Sequence, residues 1–216
     1  MKAFIATQDL KDEDYINNHY IIMATKEGLV KKTSLEQSSR PRSNGIKSIT
    51  IREEDELLEV KLTTGDSHIM LATRNGKAIH FEESKTRPVG RNAQGVLGIR
   101  LDDDGVDEVI GMVTIDDLTN DVLVVTENGY GKRSALEDYR ITNRGGKGVK
   151  TINITDRTGK LVALKNVTDE DHLMIINKSG IAIRMEIESL RVMGRATQGV
   201  RLIRVNDGDA IAAVAK

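Results

Sequence analysis

Four copies of one pattern, about fifty residues apart, constrain this chain more than anything else in its sequence. The copies open at His19-Tyr-Ile-Ile-Met-Ala-Thr-Lys-Glu-Gly28, Ser67-His-Ile-Met-Leu-Ala-Thr-Arg-Asn-Gly76, Asn120-Asp-Val-Leu-Val-Val-Thr-Glu-Asn-Gly129 and Asp171-His-Leu-Met-Ile-Ile-Asn-Lys-Ser-Gly180. Their glycines are separated by 48, 53 and 51 residues. A second glycine, each time followed by a β-branched residue, stands at Gly45-Ile46, Gly95-Val96, Gly148-Val149 and Gly199-Val200, 17, 19, 19 and 19 residues after the first. Two anchors that keep their mutual distance through four copies imply one structural unit used four times. A unit of this length made of short strands cannot bury its own apolar face and must stack on its neighbours, radially or in a line.

Within a unit the pattern reads as four short strands. An apolar run ends in Glu-Gly, Asn-Gly or Ser-Gly, where glycine accepts the positive φ of a tight hairpin. Second strands follow over 29–33, 77–81, 130–134 and 181–185. After a polar segment, third strands are expected over 46–51, 96–101, 149–154 and 200–205. An acidic turn then leads to last strands over 57–62, 109–114, 161–166 and 211–214. Four strands in fifty residues describe a propeller blade, so the fold class is all-β, an array of about four four-stranded blades. The unit boundaries fall at about 19–66, 67–118, 119–169 and 170–216. Residues 1–18 read as the last strand of a preceding blade, Ala3-Phe-Ile-Ala-Thr-Gln8, with a linker, as if the array were part of a longer one.

Composition narrows function mainly by exclusion. The core must be aliphatic, since aromatics make up 3% of the chain and Trp is absent. With no Cys there is neither a disulfide framework nor a thiolate metal site, which fits a reducing cytoplasm. No apolar run reaches the length of a membrane span, and no signal-peptide apolar region opens the chain; a soluble protein is expected. His19, His68, His80 and His172 fall in different units or at strand starts and suit no shared metal. No nucleophile elbow, carboxylate pair or Ser/His/Asp set is present. The acidic turns, such as Asp102-Asp-Asp-Gly105, read as solvated turns rather than calcium loops. No cofactor is expected.

Charge carries the positive signal. The chain as a whole has a net charge of −1. Residues 26–50, 74–100, 127–150 and 178–204 nevertheless carry +4, +4, +3 and +4, which leaves −16 for the remainder. One sign of charge placed in the same part of every unit builds a continuous stripe once the units surround an axis. The cations that recur are Lys31-Lys32, Lys132-Arg133 and Arg184 just after the hairpin turn, with His80 as a weaker copy. Four residues before the second glycine stand Arg91, Arg144 and Arg195, with Arg42 close by in the first unit. Lys147, inside Asn143-Arg-Gly-Gly-Lys-Gly-Val149, joins the set; that loop lacks the Lys-Ser/Thr ending of a nucleotide P-loop but could clamp a DNA phosphate with backbone amides and a cation. These positions are the expected contacts to duplex phosphates along a rim.

Val30-Lys-Lys-Thr33, Thr126-Glu-Asn-Gly-Tyr-Gly-Lys-Arg133 and Val192-Met-Gly-Arg-Ala-Thr-Gln-Gly-Val200 resemble the C-terminal domain of bacterial DNA gyrase A, over essentially the whole chain. The resemblance implies a β-pinwheel, a propeller relative with strands exchanged between adjacent blades, that wraps duplex DNA around a basic outer edge and so supports ATP-dependent negative supercoiling by the holoenzyme. It implies the rest of gyrase A, together with gyrase B, as partners, no membrane, and a cytoplasmic, nucleoid-associated location. Catalysis belongs to other parts of such an enzyme, so none of Tyr15, Tyr20, Tyr130 or Tyr139 is assigned a catalytic role. Two departures stand out. The family's Gln-Arg-Arg-Gly-Gly-Lys-Gly box is matched only at its end by Arg144-Gly-Gly-Lys-Gly148, and four blades are present of the family's six; both suggest a chain lacking the first two blades. The corresponding C-terminal domain of topoisomerase IV is the nearest rival, and a propeller used as a protein-interaction scaffold is the rival of another class.

Overall fold

A computed structural model describes residues 3–216. Among these residues, fifteen strands form four antiparallel sheets, three of four strands and one of three. The first unit supplies β1 (Tyr20–Thr25), β2 (Leu29–Ser34) and β3 (Leu57–Thr63). From the second come β4 (His68–Thr73), β5 (Lys77–Glu82), β6 (Val96–Leu97) and β7 (Val109–Ile115). The third supplies β8 (Asp121–Thr126), β9 (Tyr130–Ala135), β10 (Val149–Lys150) and β11 (Leu161–Val167). The fourth supplies β12 (His172–Asn177), β13 (Ala182–Glu186), β14 (Val200–Arg201) and β15 (Ile211–Ala215).

The sheets do not coincide with the sequence units. Their strand orders are β3-β1-β2-β6, β10-β5-β4-β7, β11-β8-β9-β14 and β13-β12-β15. Each outermost strand is therefore lent by the following unit: Val96 pairs with Val30, Val149 with Ala78 and Val200 with Gly131. The exchange implied by the resemblance is present. The expected third strands are shortened to two residues, and 46–51 forms no strand. The reason lies two residues further on. The amides of Leu202 and Ile203 both donate to Gly129 O, which ends the ladder and turns Ile203 inward. Gly98 and Ile99 do the same at Gly28 O, and Thr151 and Ile152 at Gly76 O. Gly129, at φ +78°, leaves no room for a side chain, since a Cβ would lie 2.4 Å from Ile203 O.

Ala3–Gln8 is not a strand either. A strand needs a neighbour, and the first strand of a preceding blade, with which it would pair, is not among the described residues. The segment instead lays Ile5 and Leu10 against a cluster of Ile16, Ile21, Met23 and Leu35, and leads into a helix α1 (Glu13–Asn17) capped by the Asp12 carboxylate.

The apolar core lies between sheets rather than within one. Ile22, Ala24 and Val30 of the first sheet meet Ile69, Leu71, Ile79 and Phe81 of the second. Met70, Ala72 and Ala78 meet Val122, Val124, Leu161 and Leu164, and Leu123 and Val125 meet Leu173, Ile175 and Ile187. A sheet covered on both faces loses alternation: β8, between the second and fourth sheets, is buried at all six positions, and β2 of the first sheet at five of six. The acidic turns are more than solvated loops. Asp55, Asp107 and Asp209 each accept a backbone amide from the facing hairpin, of Glu27, Asn75 and Ser179 respectively.

Candidate nucleic-acid interface

The ten sequence-predicted cations divide by position in the sheet. Those on the second strands of the first and third units are interior. Lys31 and Lys132 are each 1% exposed. The Lys31 ammonium donates to Ser48 O at 2.6 Å and to Arg91 O, and the Lys132 ammonium to Gly194 O at 2.7 Å and Thr197 Oγ1 at 3.3 Å. Each therefore holds the loop of the next unit that carries an arginine. Burial draws both ammonium groups down to about 8; Arg91 lowers Lys31 further, while at Lys132 Asp138 opposes the shift and Arg195 adds to it.

Lys32 pairs with Glu83 at 2.7 Å, both nearly without solvent, and Glu83 also accepts from Thr63 Oγ1 and Ser67 N. Arg133 lies between Asp121 and Asp169. His80, the weaker copy, is 4% exposed and its ring contacts Tyr139 O and His68 Nδ1, each at 2.9 Å. Lys31, Lys32, Lys132 and Arg133, expected as phosphate contacts, are enclosed in the structure, with carbonyls and carboxylates of their own and adjoining units as partners.

The loops after the second strands hold all of the remainder but Arg184. Arg144 is partly exposed and its guanidinium bridges Lys85 O and Leu97 O, at 3.0 Å each. Arg195 repeats this one unit later, bridging Asp138 O at 3.0 Å and Lys150 O at 2.8 Å. Each ties the preceding unit's short turn to its outer strand while keeping donors at the surface. Arg91 is half-buried in the corresponding loop, and Arg42 and Lys147 are exposed. Arg184 is exposed on β13, which has no outer strand among the described residues. The glycines around Lys147 serve packing: a Cβ on Gly148 would come 2.4 Å from Ala78 O, and Gly145 N already donates to Gly98 O.

One set lies outside the residues that the sequence singles out. Arg87, Arg140 and Arg191 stand eleven residues after Gly76, Gly129 and Gly180. All three are exposed, and none of their side chains makes a hydrogen bond or ion pair among the described residues. Backbone pairing fixes them at the far end of the second strand, where Val89 N bonds Lys32 O, Thr142 N bonds His80 O and Met193 N bonds Arg133 O. Their signal is register, the same property that marks Arg91, Arg144 and Arg195. Together these loops repeat a pair of arginines four residues apart in sequence from unit to unit.

The profile of the family described as DNA gyrase C-terminal domain, beta-propeller, matches residues 19–64, 67–116, 120–168 and 171–216. The DNA gyrase A protein of Staphylococcus epidermidis is 45% identical over the whole chain, and that of Staphylococcus aureus 46%. The chain spans 24% of the length of each of these relatives. Among solved structures, a C-terminal domain of DNA topoisomerase IV superposes with a TM-score of 0.86 at 24% identity, covering 92% of this chain and 61% of that one. A DNA gyrase A C-terminal domain gives 0.83 at 21% identity, covering 98% and 68%.

Proposed function

Because the chain belongs to the DNA gyrase C-terminal domain family, a β-propeller family, we propose that it binds and wraps duplex DNA as a non-catalytic part of gyrase A. The observation that carries this reading is the repeated loop pair Arg87/Arg91, Arg140/Arg144 and Arg191/Arg195, set on one edge by the strand exchange. Phosphate contacts from such an edge follow the backbone without reading bases, and their recurrence from blade to blade favours a curved path. Bending 20 to 30 base pairs by 40 to 90° costs about 1 to 6 kcal/mol, which several simultaneous contacts can offset. In the holoenzyme the wrapped segment would be presented for strand passage, with the remainder of gyrase A and with gyrase B as partners and the bacterial cytoplasm as the setting.

Duplex binding measured against salt tests the reading. The log-log slope should steepen by about 0.9 for each phosphate contacted, with similar affinity for unrelated sequences. An affinity that ignores salt, or one confined to a single sequence, would contradict it. Failure to bind any duplex would leave the protein-scaffold reading in its place.

A further inference from the structure

The turn end of the third blade departs from its counterpart in the second. In the second unit Lys77 pairs with Asp102, and Asn75 Nδ2 donates to Asp104 Oδ2 at 2.6 Å, so cation and acids neutralise one another. In the third unit Tyr130 follows the hairpin glycine where the second has Lys77, and the turn before the last strand reads Thr155-Asp-Arg-Thr-Gly159 in place of Asp102-Asp-Asp-Gly105. Arg157 Nε now donates to the Tyr130 hydroxyl at 2.6 Å, and Arg201 Nη2 donates to the same oxygen at 2.9 Å. Both guanidinium carbons also lie over the Tyr130 ring, 5.3 and 5.4 Å from its centroid.

Two cations thus converge on one neutral oxygen, with no carboxylate bonded to either among the described residues. Like charges held this close repel unless an anion joins them. Arg204, exposed and without an ion pair or hydrogen bond among the described residues, stands on the wall of the same cleft, which has a volume of about 440 Å³. Two acids share that wall. Asp209 is already engaged by Asn177 Nδ2, Ser179 Oγ and Ala210 N, whereas Asp207 is exposed. The two arginine bonds hold the Tyr130 phenol below its ordinary range, Arg157 contributing most, which reports the same positive field.

We propose that this cleft between the third and fourth units is a phosphate-binding site, in which Arg157, Arg201 and Arg204 surround the anion and Tyr130 fixes the first two guanidinium planes. Each arginine keeps donors unused by the tyrosine, and the planar fork suits a tetrahedral oxyanion in two-pronged contact. The site sits at the hairpin end of β9, opposite the end occupied by Arg191, so it is separate from the arginine loops and does not depend on the wrapping proposal.

Inorganic phosphate is the first probe, titrated into the full chain against chloride at matched ionic strength while the arginine side-chain N–H signals are followed by NMR. Saturable shifts at Arg157, Arg201 and Arg204 with phosphate alone are expected, and Arg201→Gln should weaken binding at least tenfold. Shifts that never saturate, that chloride reproduces, or that are as large at Arg87 would overturn the site. Tyr130→Phe keeps the ring but removes the shared acceptor, and is expected to weaken phosphate binding severalfold with the fold intact by circular dichroism; undiminished affinity would remove the tyrosine from the proposal. A second arm uses a duplex of 30 base pairs: if Arg157→Gln/Arg204→Gln lowers affinity and shallows the salt slope, the phosphate is a DNA backbone phosphate. If duplex binding is unchanged while phosphate binding is lost, the anion is free in solution.

Discussion

Lys132 and Arg191 carry the same unit of charge and do opposite things with it. Lys132 is enclosed, and its ammonium donates to Gly194 O and Thr197 Oγ1 in the loop of the next unit. Arg191 begins that loop, in solvent and without a protein partner among the described residues. The first joins units; the second is left for something outside the chain. Between them lies Arg195, bonded to two carbonyls yet partly exposed, which joins units and faces outward together. A basic stripe counted along the sequence is therefore two layers in space, and only the outer one is open to solvent.

The largest effect that could break this division is expected at Lys32. Lys32→Met leaves Glu83 buried without its cation and should cost about 3 to 5 kcal/mol in denaturant unfolding. Lys32→Met/Glu83→Leu should recover most of that loss, and a double variant as unstable as the single would mean the pair is not the cause. Next is Lys132→Met, which removes the charged donor to Gly194 O and Thr197 Oγ1 and should cost about 1 to 3 kcal/mol. Its pH dependence sharpens the contrast. The folded-state value of about 8 lies below the ordinary 10.5, so between these pH values the unfolded chain holds more protons and stability contributed at this site rises with pH. The variant should lack that increment, and an identical pH profile from 8 to 10 would place the ammonium in solvent.

Outer substitutions should behave in reverse. Arg87→Glu, Arg140→Glu and Arg191→Glu together should change stability by less than about 0.5 kcal/mol each, as surface changes do. Duplex affinity should fall, with a salt slope shallower by about 0.9 for every phosphate no longer touched. Unaltered duplex binding would erase the outer layer's assigned role. The smallest stability effect is expected from Lys147→Ala, which makes no bond among the described residues and should alter affinity only slightly.

Much of the architecture was legible because two glycines per unit mark positions of positive φ, which other residues rarely adopt. Gly129 fixes a hairpin and at the same time receives Ile203 of the next unit, so the motif encodes both a turn and a junction. What the pattern alone left open, and only the resemblance supplied, was which sheet a strand joins. Val96 suits either its own unit or the preceding one by pattern alone, since the polar loop before it spans either distance. The interior lysines mislead for a related reason. In a strand open to water on one face, Lys31-Lys32 would place one cation outside, but β2 is covered on both faces and its buried partners, Glu83 and the Ser48 and Arg91 carbonyls, are remote in sequence. The exposed arginines were within reach, since Arg87, Arg140 and Arg191 keep register as well as Arg91, Arg144 and Arg195 do.

The lending of β6, β10 and β14 has a consequence for how the array comes apart. No contiguous fifty-residue stretch contains a whole four-stranded sheet, so none of the first three repeats can be excised as a self-sufficient module, and every junction is both a packing surface and a backbone ladder. Coupling of that kind makes neighbouring units melt together, in the manner of a one-dimensional chain with a strong nearest-neighbour term. The weakest link is then the sheet of β12, β13 and β15, which receives no lent strand among the described residues. Local opening detected by amide exchange should begin there and spread inward, which gives the molecule a direction of unfolding as well as a direction of assembly.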